Sequence, residues 1–261
     1  MSATQSISFE IKNKNDMNIV YSKLNDGDTY DNFCLWVENV YLTKKFYDKL
    51  SLLIIKDFSI HHSFLGDCLS KCKKLPKDIE SLSITSPLNL TKCVIRSICR
   101  LINLTDINLG GYIGISMKDI DKILFNCKNI NTMYLSYPII DIDKPSQSYT
   151  NIINFSSVGF DKNAMNPKMI NIYAWFPMLK CLNLYCGDKF NVSNIHMLKD
   201  LKDLNLIFNE YDEKSSSEID LIYPQLTDAN IIVDRIGVTI NAASRIGSIR
   251  WPLKNFSSKY L

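Results

Sequence analysis

The stretch Phe176-Pro177-Met178-Leu179-Lys180-Cys181-Leu182-Asn183-Leu184 places apolar side chains at 176, 179, 182 and 184. The same spacing returns at Leu198, Leu201, Leu204 and Leu206, and again at Leu101, Leu104, Ile107 and Leu109. Further copies fall at Ile130, Met133 and Leu135 behind Cys127, and at Ile152, Phe155, Val158 and Phe160. Weaker ones read Tyr47, Leu50, Leu53, Ile55; then Ile79, Leu82, Ile84 behind Leu75 or Pro76; then Tyr223, Leu226, Ala229, Ile231. The last apolar position of each copy runs 55, 84, 109, 135, 160, 184, 206, 231, a spacing of 22 to 29 residues. In each copy the final alternation turns residues such as Leu182 and Leu184 to one side of a short strand, and Cys181, Asn183 and Tyr185 to the other. One such unit cannot bury its apolar side alone, so neighbours must stack until the leucines form a continuous ladder.

On this spacing the chain resembles the leucine-rich repeat family, over about residues 47–234. The resemblance implies an α/β solenoid of about eight repeats, with a parallel concave sheet and a helical or irregular convex side. Irregular, ribonuclease-inhibitor-like and F-box-associated arrays are the most similar type. The family places Asn or Cys three residues after the last ladder leucine; here only Asn163 and Asn209 match. Two intervening segments carry helix-start signals, Ser116 to Asp119 before Ile120 and Ser215 to Glu218 before Ile219. Members of the family commonly bind a partner protein on the concave face. That face is the outward column Ile54, Ser83, Asn108, Tyr134, Gly159, Asn183, Asn205, Asn230, with Leu52, Ser81, Asp106, Thr132, Ser157, Cys181, Asp203, Asp228 preceding it. Amides and carboxylates offer directional hydrogen bonds, and tyrosine adds contact area with a polar tip. The expected partner-binding residues are therefore Asp106, Asn108, Tyr134, Tyr137, Asn183, Tyr185, Asp203, Asn205, Asp228 and Asn230.

Outside the array, residues 1–46 read as an N-terminal cap. Alternation at Ile7, Phe9 and Ile11, a polar turn at Asn13 to Asp16, then Ile19 and Tyr21, predicts a hairpin over 1–24. Phe33, Trp36, Val37, Val40 and Tyr41 recur at three and four, which predicts an amphipathic helix between Asp31 and Leu50. Leu52 and Ile54 would be exposed unless this cap covers them. Residues 235–261 read as a C-terminal cap or basic tail, with Arg245, Arg250, Lys254 and Lys259 among Trp251, Phe256 and Tyr260. Such interleaving is also a pattern for binding nucleic acid or an anionic surface, but the reading assigns no nucleic-acid partner.

With 46% hydrophobic and 22% charged residues in a chain of 261, the composition is that of a folded protein, and a net charge of +3 selects no partner. The opening residues lack the basic start and apolar run of a secretory signal, and no stretch approaches the roughly 20 apolar residues of a membrane span. The expectation is a cytoplasmic protein without a membrane span, whose eight scattered cysteines are reduced thiols.

Enzyme signatures are missing from the sequence. His61, His62 and His196 have no motif partner and read as surface or loop residues. Cys68-xxx-Cys72 has no second pair at zinc spacing, so no metal is expected. Gly110-Gly111 stands outside any phosphate-binding glycine motif, so no cofactor is expected. Asp141 and Asp143 lie in a loop without a companion base. The sequence thus points to a non-enzymatic protein-binding scaffold. The alternative is the substrate-recognition subunit of a ubiquitin ligase, its adaptor held by a degenerate F-box-like segment at residues 31–60.

Overall fold

The computed structural model describes residues 5–38, 40–62, 72, 74–85, 90–110, 115–136, 138–142, 144–158, 170–186, 192–208, 226–233 and 238–243. Residues 185–186, 192, 208, 228–233 and 238–243 are described as backbone only. In chain order the elements are β1 (Ser6–Ile11), α1 (Lys14–Lys23), β2 (Thr29–Val37), α2 (Lys44–Leu50), β3 (Ile54–His62), β4 (Ser81–Thr85), α3 (Lys92–Ile98), β5 (Asp106–Leu109), α4 (Met117–Asn126) and β6 (Thr132–Ser136). They continue with β7 (Asn154–Val158), β8 (Ile170–Asn171), α5 (Ile172–Trp175), β9 (Cys181–Cys186), β10 (Val192–Ser193), a short 3-10 turn (Ile195–Met197), β11 (Asp203–Phe208), β12 (Asp228–Val233) and β13 (Val238–Ala243). The class is α/β. Among the described residues one sheet of eleven strands runs β1-β2-β3-β4-β5-β6-β7-β9-β11-β12-β13; every neighbouring pair is parallel except β12 with β13. β8 and β10 form a separate parallel pair. No helix of the described residues is long and apolar enough to cross a membrane.

The register explains the leucine spacing. One row across the sheet reads Ile7, Phe33, Phe58, Leu82, Ile107, Met133, Phe155, Leu182, Leu204, Ala229. The next inward row includes Phe9, Leu35, Ile60, Ile84 at one end and Leu184, Leu206 at the other; Ala229 in the first row and Ile231 in this one are the corresponding backbone positions of β12. From Phe33 to Leu204 the first row is at most 2% exposed. These rows face the helices, whose buried residues (Met17 and Val20 on α1, Phe46 and Leu50 on α2, Val94 and Ile98 on α3, Ile120 and Ile123 on α4, Trp175 on α5) join the same core. At roughly 1.5 to 3 kcal/mol for each fully buried aliphatic or aromatic side chain, this layer supplies the main favourable term.

Each helix starts where a side chain caps it. Asn13 accepts from the N–H of Asn15 and Asp16 at 2.8 and 3.0 Å, while Asp16 accepts from the N–H of Asn13 at 3.2 Å, a reciprocal capping box. Thr43 and Thr91 cap α2 and α3. Ser116 caps α4 as its sequence predicts, and Asp141 reinforces it, accepting from Ser116 Oγ at 2.5 Å and the Lys118 N–H at 3.0 Å. This gives the loop carboxylate Asp141 a helix-capping role.

Several expectations are corrected. The hairpin over 1–24 is replaced by β1 and α1: the polar turn is a helix cap, and Met17, Val20 and Leu24 are buried while Ile19 is 45% exposed. The amphipathic helix over 31–50 is replaced by β2 followed by α2. The alternation Phe33, Leu35, Val37 is buried, and Trp36, counted with the helical stripe, faces the other way at 50% exposure. Residues 31–60, the segment assigned to an F-box-like role, therefore supply two strands and a helix of the main layer. The first copy is displaced by five residues, because Phe58 and Ile60 align with Leu82 and Ile84. Leu52 and Ile54 precede and open β3, and remain 52% and 41% exposed. The copy ending at Phe160 is displaced by three, since Phe155 and Ser157 occupy the inward rows. His61 and His62 lie in β3, not beyond it; His62 is buried, with Nε2 3.3 Å from the Val40 carbonyl.

Candidate functional site

Alternation sends every second residue of these strands to the face opposite the described helices, where the register lines them into rows. One row is Ser6, Asn32, Asp57, Ser81, Asp106, Thr132, Asn154, Cys181, Asp203, Asp228. Its neighbour is Ser8, Cys34, Ser59, Ser83, Asn108, Tyr134, Ser156, Asn183, Asn205, Asn230. Neither contains a Lys or Arg. Adjacent strands stand about 4.8 Å apart, so consecutive members of a row are within side-chain reach.

The expected binding residues separate cleanly on this frame. Asp106 and Asp203 share the first row with the Asp228 position, while Asn108, Tyr134, Asn183 and Asn205 share the second with Asn230. Asp228 and Asn230 are placed by their backbone in β12, and Tyr185 by its backbone in β9, one position beyond the second row's inward neighbour. Tyr137 lies outside the described residues. The displaced copies change the membership. Leu52 and Ile54 give way to Asp57 and Ser59, and Ser157 and Gly159 give way to Asn154 and Ser156. Alternation of Phe58, Ile60 and His62 was the available signal for the first change.

Hydrogen bonds hold these side chains in place. Asn183 Nδ2 donates to Ser156 Oγ across the strand gap at 3.1 Å and lies 3.5 Å from Cys181 Sγ. Asn154 Nδ2 donates to Thr132 Oγ1 at 3.2 Å. Thr105 Oγ1 donates to Asp106 Oδ2 at 2.6 Å, and Thr227 Oγ1 to Asp203 Oδ1 at 3.3 Å. The Gly110 N–H donates to Asn108 Oδ1 at 3.0 Å. A Cβ at Gly110 would stand 3.1 Å from that oxygen and 3.3 Å from the Tyr134 ring, so glycine there allows both groups their close approach. Partial burial raises the Asp57 carboxyl above its ordinary value; the nearby Glu80, Asp106 and Asp31 charges add to the rise and Lys56 opposes it. The acidic residues therefore act on one another along this part of the face.

The sequence matches no family model, and no curated protein matches it significantly.

A third outward row begins Glu10, Trp36, His61, Thr85, and includes two residues the sequence reading left out. Trp36 stacks on His61 with ring centroids 4.1 Å apart and planes 18° from parallel. Burial lowers the His61 pKa, which favours the neutral ring. Together the rows offer amide donors and acceptors, carboxylates, a tyrosine and an exposed indole. Such a surface can recognise another macromolecule by contact and hydrogen bonding.

Proposed function

We propose that this chain is a leucine-rich-repeat solenoid that binds a partner protein on the face of its parallel sheet opposite the described helices, without catalysing a reaction. The observation that carries this reading is the alignment of Asp106, Asp203, Asn108, Tyr134, Asn183 and Asn205 into two adjacent rows across consecutive strands. Inward rows of Leu, Ile and Phe at intervals near 25 residues support the family assignment, and the register of β1 and β2 adds two units to the eight expected from spacing. Carboxylates without cations in these rows favour a partner surface that presents basic and hydrogen-bond-donating groups. Exposed Trp36 and half-buried Tyr134 would supply the aromatic anchors common at interfaces.

The test is a double substitution, Asn183→Arg with Asn205→Arg, which introduces two cations into the second row. Partners captured from cells by the native chain and identified by mass spectrometry are expected to be lost from the variant, with the circular dichroism spectrum unchanged. Capture of the same partners by both proteins would overturn the assignment of this face.

A further inference from the structure

Among the described residues nine strands of the sheet pair on both sides, and the two end strands, β1 and β13, each pair on one side. β1 pairs with β2 alone and forms one edge. The carbonyls of Gln5 and Ile11 accept from the N–H groups of Asp31 and Glu38 at 3.0 and 2.9 Å, so the odd-numbered residues face β2. Alternation then turns the N–H and C=O of Ser6, Ser8 and Glu10 away from the sheet. Ile7 and Phe9, in the inward rows, are half-buried, whereas Leu182 and Leu184 in the same rows are at most 1% exposed. Edge strands are ordinarily blunted by proline, a bulge or lysine. β1, Ser-Ile-Ser-Phe-Glu-Ile, has no proline, bulge or lysine, and its one charge, Glu10, is paired with Lys12 at 2.8 Å.

We infer that β1 is a dimerisation strand, pairing antiparallel with β1 of a second copy about a two-fold axis at Ser8. The strand is self-complementary in that register. Ser8 faces its own symmetry mate and Ser6 faces Glu10 of the second copy, so the outward N–H and C=O groups of all three residues are satisfied together. Ile7 then lies opposite Phe9 of the other copy, twice, in the closer non-hydrogen-bonded positions that bring side chains into contact. No like charges meet, because the single carboxylate of the strand, Glu10, is opposite a serine. Joined in this way, the two sheets are continuous and their faces opposite the described helices lie on the same side.

Sedimentation velocity over a hundredfold range of concentration tests the inference. The native chain is expected to rise from its monomer mass of 30.0 kDa toward twice that value. Ser8→Pro removes an N–H that points away from β2, a position where an edge strand tolerates proline, and is expected to stay at the monomer mass throughout. A native chain that remains monomeric, or a Ser8→Pro variant that still doubles, overturns the proposal. Register-specific cross-linking gives an independent reading that does not depend on how the proline variant folds. Cys34 is the parallel neighbour of Ser8, so the background is Cys34→Ser. In it, Ser8→Cys is expected to form a disulfide-linked dimer under mild oxidation, because directly opposite residues of a hydrogen-bonded pair stand about 5.5 Å apart at Cα. Glu10→Cys would place its sulfurs at positions about 13 Å apart along the strands and is expected to remain uncross-linked. Equal cross-linking by both, or by neither, overturns the register. The face variant Asn183→Arg with Asn205→Arg should dimerise as the native chain does, which separates this inference from the partner-binding one.

Discussion

Ser157 occupies an inward position in β7, between Leu135 and Leu184 on the neighbouring strands, and is 2% exposed. Its hydroxyl has no hydrogen-bond partner among the described residues. A buried hydroxyl without a partner costs about 1 to 3 kcal/mol relative to an apolar atom. Ser157→Ala should therefore stabilise the fold by about 1 kcal/mol, seen as a higher urea midpoint at unchanged slope; a loss of stability would show that the hydroxyl has a role the geometry does not give it. The same residue marks where sequence reading slips. The spacing template seeks an apolar residue at each inward position, so in Ile152-Ile153-Asn154-Phe155-Ser156-Ser157-Val158-Gly159-Phe160 it passes over the serine and selects Val158 and Phe160. Where the ladder residues are Leu or Ile, as at Leu182, Leu184, Leu204 and Leu206, the inward and outward assignments of β9 and β11 follow from alternation alone.

At the scale of elements, α1 rests on the reciprocal bonds between Asn13 and Asp16, and it packs Met17 and Val20 against the first strands. Asn13→Ala removes the acceptor for two first-turn N–H groups and is expected to cost about 1 kcal/mol. Far-ultraviolet circular dichroism during urea unfolding would read that loss, and an unchanged midpoint would mean that packing alone fixes the helix start. The Asn13 to Asp16 spacing was legible as a capping signature, yet the alternation of Ile7, Phe9 and Ile11 before it, with Ile19 and Tyr21 after it, drew the segment into a hairpin. β2 was misread for the opposite reason. Aromatic and aliphatic residues on both of its sides, Phe33 inward and Trp36 outward, imitate a helical stripe when the faces are not yet known. The displacement at β3 has a related origin, since Leu53, Ile55, Phe58 and Ile60 are all buried and offer two overlapping copies of one spacing.

Over the molecule as a whole, among the described residues each strand of the main sheet from β1 to β12 pairs only with the next one reached along the chain and the one before it. Damage at one position should then spread to neighbours and fade with distance, as it does where each unit contacts only its neighbours. Leu182→Ala opens a cavity in β9 and is expected to cost about 2 to 5 kcal/mol locally. Hydrogen exchange should report faster opening of β7, β9 and β11 with β2 and β3 unchanged; uniform acceleration across the sheet would instead indicate one cooperative unit. The same connectivity bears on how quickly the chain can find its structure. Parallel sheets ordinarily fold slowly, because their strands meet across long intervening segments whose closure entropy comes first. In this sheet, Leu182 meets Leu204 and Phe33 meets Phe58, so partners lie about 25 residues apart in a chain of 261, a relative contact order of about 0.1. The sheet thereby has the contact range of a helical bundle, and its strands can add one after another from any pair that forms first.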